Sequence, residues 1–165
     1  MENREEIDVI EQKIMNSLKD FQQATVNRID YLYRHGQRRV LVADEVGLGK
    51  TLIARGTVAK MAKLRLEEGD DLFKVVYVCS NSAIADQNLK KLRITSDIET
   101  ENASYSRLSM QHLNIFNKEY KYKNENKYIQ LIPLTPDTSF NMTSGAGIVQ
   151  ERALMFTVLS KLSEL

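Results

Sequence analysis

At 165 residues the chain has room for one ordinary domain with a core of its own. Hydrophobic residues make up 42% and charged residues 27%, a balance that excludes both a disordered tail and a membrane-embedded bundle. A formal net charge of +1 excludes a global electrostatic attraction to nucleic acid or to an anionic membrane, so any such site would have to be local.

The chain opens with Ile7, Ile10, Ile14 and Leu18 at spacings of three and four, which predicts an amphipathic helix over 5–18 within a leading segment 1–20. A second helix is predicted from Phe21 to Tyr33 through Val26, Ile29 and Leu32, with His35-Gly36 as its stop. A strand follows at 38–43, carrying Val40-Leu41-Val42, and then a helix over 50–67 that ends in Glu67-Glu68-Gly69-Asp70. Val75-Val76-Tyr77-Val78-Cys79 reads as a buried parallel strand. Ser80-Asn81-Ser82 supplies N-cap chemistry for a helix through Ile84, Leu89 and Leu92.

Periodicity fades beyond Ile94: 95–104 is polar and 114–127 is rich in Asn, Lys and Tyr. Tyr128 to Leu134 reads as a strand, 135–147 as a loop, and a last helix starts near Ile148, carrying Ala153, Leu154, Phe156, Val158, Leu159 and Leu162. The alternation of strands and helices predicts an α/β fold, a central parallel sheet flanked by helices. There is no internal repeat and no linker long enough to divide the chain, so residues 1–165 read as a single segment.

Between the strand at 38–43 and the helix after it stands Ala43-Asp44-Glu45-Val46-Gly47-Leu48-Gly49-Lys50-Thr51. Strand, glycine turn, Lys-Thr and helix are the layout of a nucleotide phosphate-binding loop. Gly47 and Gly49 let the backbone of Glu45, Val46, Leu48 and their neighbours curl so that N–H groups point at phosphate oxygens. Lys50 would reach the β- and γ-phosphates, and the Thr51 hydroxyl would help to hold Mg²⁺. The general pattern has glycine where this chain has Asp44.

With Asp44 in place, the string Asp-Glu-x-Gly-x-Gly-Lys-Thr resembles motif I of superfamily-two helicases and translocases, and is especially similar to the SWI/SNF-like branch. Gln22 lies 28 residues before Lys50, and Phe21-Gln22 is similar to that family's Q motif. The resemblance makes Gln22 the adenine reader, with Gln23 as the alternative. An amide that donates and accepts at once suits the adenine edge. The stretch from Val75 to Leu92 resembles motif Ia, which points to Ser80 and Asn81 as nucleic-acid contacts, although a plain helix cap accounts for them equally well.

The resemblance covers about residues 20–92 and implies an incomplete RecA-like P-loop domain. It also implies ATP with Mg²⁺ as ligands, Lys50 as the catalytic residue, and duplex DNA as a partner of the full-length protein. Motif II, an apolar strand ending in paired acids, is not found after Cys79. Asp137 is the nearest substitute, and Pro133 and Pro136 make its segment a poor buried strand. A second RecA-like lobe with arginine fingers is likewise missing. The expectation is therefore the N-terminal ATP-binding segment of a longer helicase or translocase, weak or inactive in hydrolysis by itself.

Two other readings remain open: a self-contained small P-loop kinase or NTPase, and a non-catalytic interaction domain that keeps the loop as scaffold. Arg152 is the one arginine beyond Arg107, which argues against the arginine-bearing lid a kinase needs. The segment 134–153 resembles bacterial helicase-like proteins without suggesting a chemical role. Residues 116–128 interleave cations and aromatics, as nucleic-acid surfaces and solvated insertions both do. The single cysteine, Cys79, excludes an internal disulfide and reads as a small core residue; His35 and His112 stand too far apart to suggest a metal site. No run nears the roughly 18 apolar residues of a membrane span, and an acidic start is unlike a secretory signal. The expected setting is cytoplasmic, with no membrane partner, and the abundance of Asn, Lys and Ile suggests an AT-rich bacterial genome.

Overall fold

The computed structural model describes residues 2–45, 47–95, 128–136 and 149–162. In order these form α1 (Glu2–Asn16), α2 (Asp20–Arg34), α3 (Lys50–Glu67), β1 (Phe73–Val78), α4 (Ser82–Leu92), β2 (Ile129–Leu134) and α5 (Val149–Leu162). Polar residues 96–104, the Asn/Lys/Tyr stretch 114–127, Asp137 and His112 lie outside the described residues. No helix among the described residues is long and apolar enough to cross a membrane. The chain divides into two compact units whose boundaries cut through β1, α4 and β2.

The first unit comprises Met1–Val75, Gln87–Thr100 and Lys127–Leu131. Here α1 and α2 both pack on α3. The three-four spacing of apolar residues along α1 becomes the buried stripe Ile7, Ile14 and Met15, continued by Leu18. Met15, Leu18, Val26, Ile29 and Ile53 form a core against which Tyr33, Val40 and Val42 pack. Gly56 is packed tightly: a Cβ there would meet Val26 Cγ2 at 2.9 Å and Leu18 Cδ1 at 3.0 Å. On another face of α3 the buried Glu11 of α1 pairs with Lys60 at 3.0 Å, and Asp8 pairs with Lys63 at 2.8 Å. Arg34 is exposed, as are Arg38 and Arg39, and it bridges Asp30 at 3.1 Å and Glu67 at 3.2 Å.

The second unit comprises Val76–Asp86, Glu101–Asn126 and Ile132–Leu165. Its helix α5 exposes Phe156 (74%) and Leu159 (58%). Cys79 is half-buried rather than a core residue, and its thiol donates to the Asn81 carbonyl at 3.2 Å.

β1 and β2 pair in parallel, and they are the one sheet among the described residues. Phe73 N donates to Tyr128 O at 2.7 Å and Cys79 N to Leu134 O at 3.1 Å. The expectation of a buried β1 is corrected, because Val76 is 52% and Val78 66% exposed. The doubt cast on a strand containing Pro133 is also corrected, since Pro133 sits fully buried within β2. The register explains how. In a parallel pair one residue's N–H and C=O face the same neighbour, so Tyr128 and Leu134 place the even-numbered residues of β2 toward β1. Pro133 therefore faces its missing N–H away from the ladder, and no β1–β2 hydrogen bond is lost.

The strand predicted at 38–43 does not form: residues 37–45 are neither helix nor strand. Their extended character nonetheless persists as an alternation, with Val40 and Val42 packed on the core and Leu41 88% exposed. An apolar period of two directs side chains to opposite faces, but a strand also needs a hydrogen-bonded neighbour.

Tyr128, at the start of β2, donates its hydroxyl to the Ala62 carbonyl of α3 at 2.9 Å. Burial pushes its phenol up to about 12. A tyrosine whose folded value is raised stabilises the fold fully below its unfolded value, and that contribution is lost as pH rises from about 10 through about 12. Tyr128→Phe should lower stability at neutral pH by about 1 kcal/mol through the lost hydrogen bond. It should also show a shallower alkaline decline, both read from urea unfolding across pH 8 to 12 (about the range of phenol titration).

Candidate nucleotide-binding loop

α3 begins abruptly because Gly49 can adopt φ 79° and ψ 39°, the left-handed conformation at its N-cap. Its carbonyl accepts from Leu52 N at 2.8 Å and Ile53 N at 3.2 Å, which starts the helix. Gly47 also has a positive φ, 91°. Two left-handed residues separated by Leu48 fold the backbone back over the first turn of α3, where helix N–H groups lack intrahelical acceptors. Left-handed glycines at a helix start can turn successive N–H groups toward one point, and the positive end of the helix adds to the preference for an anion there.

Lys50 is the first residue of α3, and its ammonium turns back onto the loop. Nζ donates to Asp44 O at 2.7 Å and Glu45 O at 2.8 Å. The Lys50 side chain is thus already held at the loop by two carbonyls that an incoming phosphate could replace as acceptors. Thr51 follows on the first helical turn, half-buried. Glu45, Gly47 and Leu48 are exposed, with Leu48 at 40%. Val46 lies outside the described residues. One carboxylate oxygen of Asp44, Oδ2, is buried without a hydrogen-bond partner, an acceptor placed beside the loop.

The loop is joined to α2 through Gln22, which is 4% exposed. Its Oε1 accepts from Lys19 N at 3.0 Å, and its Nε2 donates to Leu48 O at 3.0 Å. One partner is a donor and the other an acceptor, so the orientation of the amide is fixed by its surroundings. Nε2 would also lie 2.6 Å from a Cβ added at Gly49. Gln22, Leu48 and Gly49 are therefore brought into one contact. Gln23 instead donates to Leu18 O at 3.1 Å, within the connection before α2. Phe21, the aromatic beside Gln22, is 45% exposed.

Lys19 was absent from the sequence-derived site, and it matters through its backbone alone. A Glu or Gln three residues into a helix commonly reaches back to the N-cap N–H, a signal that Gln22 carries in its position. What hid it is the lysine at the cap, since a lysine side chain has no acceptor with which to return the bond.

Ser80 and Asn81 belong to the second unit. Asn81 caps α4: its Oδ1 accepts from Ile84 N at 3.0 Å and its carbonyl from Ala85 N at 3.1 Å. Ser80 is exposed. Among the described residues no three His, Cys, Asp or Glu side chains gather as a metal-binding group.

A family model described as "Type III restriction enzyme, res subunit" matches residues 15–147, which include α2, the loop, α3 and β2. No curated protein and no solved structure matches the chain.

Proposed function

The chain belongs to the type III restriction enzyme res-subunit family, a helicase-like family of superfamily two, and from that premise we propose that it is the ATP-binding front segment of a DNA-dependent ATPase. The observation that carries this reading is the turn left-handed at Gly47 and Gly49 that starts α3 with Lys50 and Thr51 on its first turn. The fold it supports is a RecA-like P-loop domain, of which residues 1–165 are an incomplete N-terminal portion. Motif I in the form Asp44-Glu45-Val46-Gly47-Leu48-Gly49-Lys50-Thr51 favours an SWI/SNF-like translocase within the superfamily.

The loop suits a nucleotide triphosphate. Backbone N–H groups of Gly47 to Thr51 would hold phosphate oxygens, and Lys50 would exchange the Asp44 and Glu45 carbonyls for them. Thr51 would place its hydroxyl as one oxygen ligand of Mg²⁺, with water and phosphate oxygens completing the shell. The metal would neutralise charge on the phosphates. An amide has two N–H groups and two lone pairs on oxygen, so Gln22 keeps one donor and one acceptor site beyond Lys19 and Leu48 for an adenine edge. Ser80 and the Nδ2 group of Asn81 would meet a DNA backbone in the full-length protein.

Hydrolysis by this segment alone should be slight. Water activation needs an acidic pair that no apolar strand after Cys79 supplies, and the arginine fingers would come from a second lobe. Calorimetric titration of ATP, with and without Mg²⁺, into the wild type and Lys50→Ala tests the proposal. The wild type should bind saturably, Lys50→Ala at least about tenfold more weakly, a difference of ~1.4 kcal/mol. Identical flat curves would leave only a scaffold loop. DNA-stimulated turnover abolished by Lys50→Ala would instead overturn the claim that the segment is incomplete as a catalyst.

A further inference from the structure

On the α1 side of α3 the charges are matched, except at one cavity. Lys60 and Lys63 have the carboxylates of Glu11 and Asp8 within 3.0 Å. Arg55, a little more than one turn earlier on the same helix, has no hydrogen bond or ion pair to the described residues. It is half-buried, and its Nε is closed off from solvent without an acceptor. An Nε–H closed off from water without an acceptor is unfavourable, so an acceptor brought into the cavity would stabilise it.

Arg55 lines a cavity of about 360 Å³ between α1 and α3, at the lower end of the sizes that hold small ligands. Lys13 lines the same cavity, also without an ion-pair partner among the described residues, and Glu6 is the one acid among the described residues of its wall. Ile10, Ile14 and Ile94 give it an apolar surface; Ile14 is 4% and Ile94 6% exposed. Two cations against one carboxylate favour an anion, and the planar guanidinium fork matches a carboxylate in a two-bond geometry. Inorganic phosphate would make no apolar contact with the isoleucines, and its dianion would be repelled by Glu6 more strongly than a singly charged carboxylate.

We infer that this cavity is a binding site for a small organic carboxylate with an aliphatic body, its charge held by Arg55 and Lys13 and its carbons laid on the three isoleucines. The site is separate from the phosphate loop and independent of the reading given to that loop.

Isocaproate titrated into the 165-residue chain at constant ionic strength, followed by ¹H–¹⁵N chemical shifts, provides the test. Saturable binding with Kd on the order of 1 mM is expected for an eight-heavy-atom ligand (about −0.5 kcal/mol per atom). Shifts should be centred on α1 and α3. Arg55→Gln should weaken it at least tenfold while leaving Tm unchanged or higher, because no partner among the described residues is lost. Lys13→Gln, at an exposed side chain, should weaken it about threefold, and this second variant decides the matter should Arg55→Gln fold poorly. The proposal is overturned by absence of saturable binding to the wild type, by wild-type affinity in both variants, or by phosphate binding as tightly as isocaproate.

Discussion

Gly49→Ala should lower the stability of the nucleotide-free chain by about 2–4 kcal/mol and abolish saturable ATP binding. Two separate penalties combine at this position. The left-handed backbone, φ 79°, disfavours any residue with a Cβ by ~1–2 kcal/mol. The added methyl would also stand 2.6 Å from Gln22 Nε2, inside van der Waals contact. Gln22 cannot swing aside freely, because it is buried and bonded at both ends of its amide. Either the amide breaks from Leu48 or the turn opens, and both outcomes disperse the N–H groups that would face phosphate.

Gly47→Ala is the internal control. Its φ, 91°, carries the same conformational penalty, but a Cβ there meets nothing within 4 Å. It should therefore cost only ~1–2 kcal/mol. Urea unfolding of both variants isolates the steric part as the difference between them. In a Gln22→Ala background, Gly49→Ala should cost only the φ penalty relative to Gln22→Ala alone. Equal losses at the two glycines would show that Gln22 does not wall in the loop.

The elements that could be read from the amino-acid order are those stabilised locally. Ile7 and Ile14 fall on one helix face because of their spacing, and α3 starts at Lys50 because glycine precedes it. The loop could be read for the same reason: left-handed turns, a cap and a lysine within a few residues are short-range chemistry. Strand pairing could not. Val40, Leu41 and Val42 have the alternation of a strand, yet the hydrogen bonds that would make them one must come from residues far away in sequence. Pro133 misled in the opposite direction, since its cost depends on which side of β2 has a neighbour, and only the register reveals that. In the candidate site, Gln22 was singled out for what it could offer a ligand. Its bond to Lys19 is a local helix-cap bond, but its bond to Leu48 depends on how α2 lies against the loop, which no spacing rule encodes.

Those two bonds give Gln22 a role that can be measured before any nucleotide is added, and Gln22→Glu should expose it most sharply. The substitution preserves shape and keeps an oxygen for Lys19 N, but it replaces the donor to Leu48 O, now at 3.0 Å, with a second oxygen. At neutral pH the introduced carboxylate would be buried, facing a carbonyl, and the Leu48 carbonyl would lose its donor. A loss of about 2–3 kcal/mol relative to wild type is expected, larger than for Gln22→Ala, which leaves space for water but no charge. Burial and the opposing carbonyl should raise the carboxyl's folded pKa above its unfolded value, so the folded state holds the proton more tightly. The penalty should then be full above the folded pKa and shrink as pH falls toward the unfolded value, because the protonated acid can donate to Leu48 O. Compared with wild type at each pH, Gln22→Glu should be the weaker variant near pH 7.5 and the stronger near about 4.5, crossing Gln22→Ala between them. If neither variant changes stability by more than about 0.5 kcal/mol at either pH, the amide does not hold α2 to the loop, and contact with a bound nucleotide would be the one role left to it.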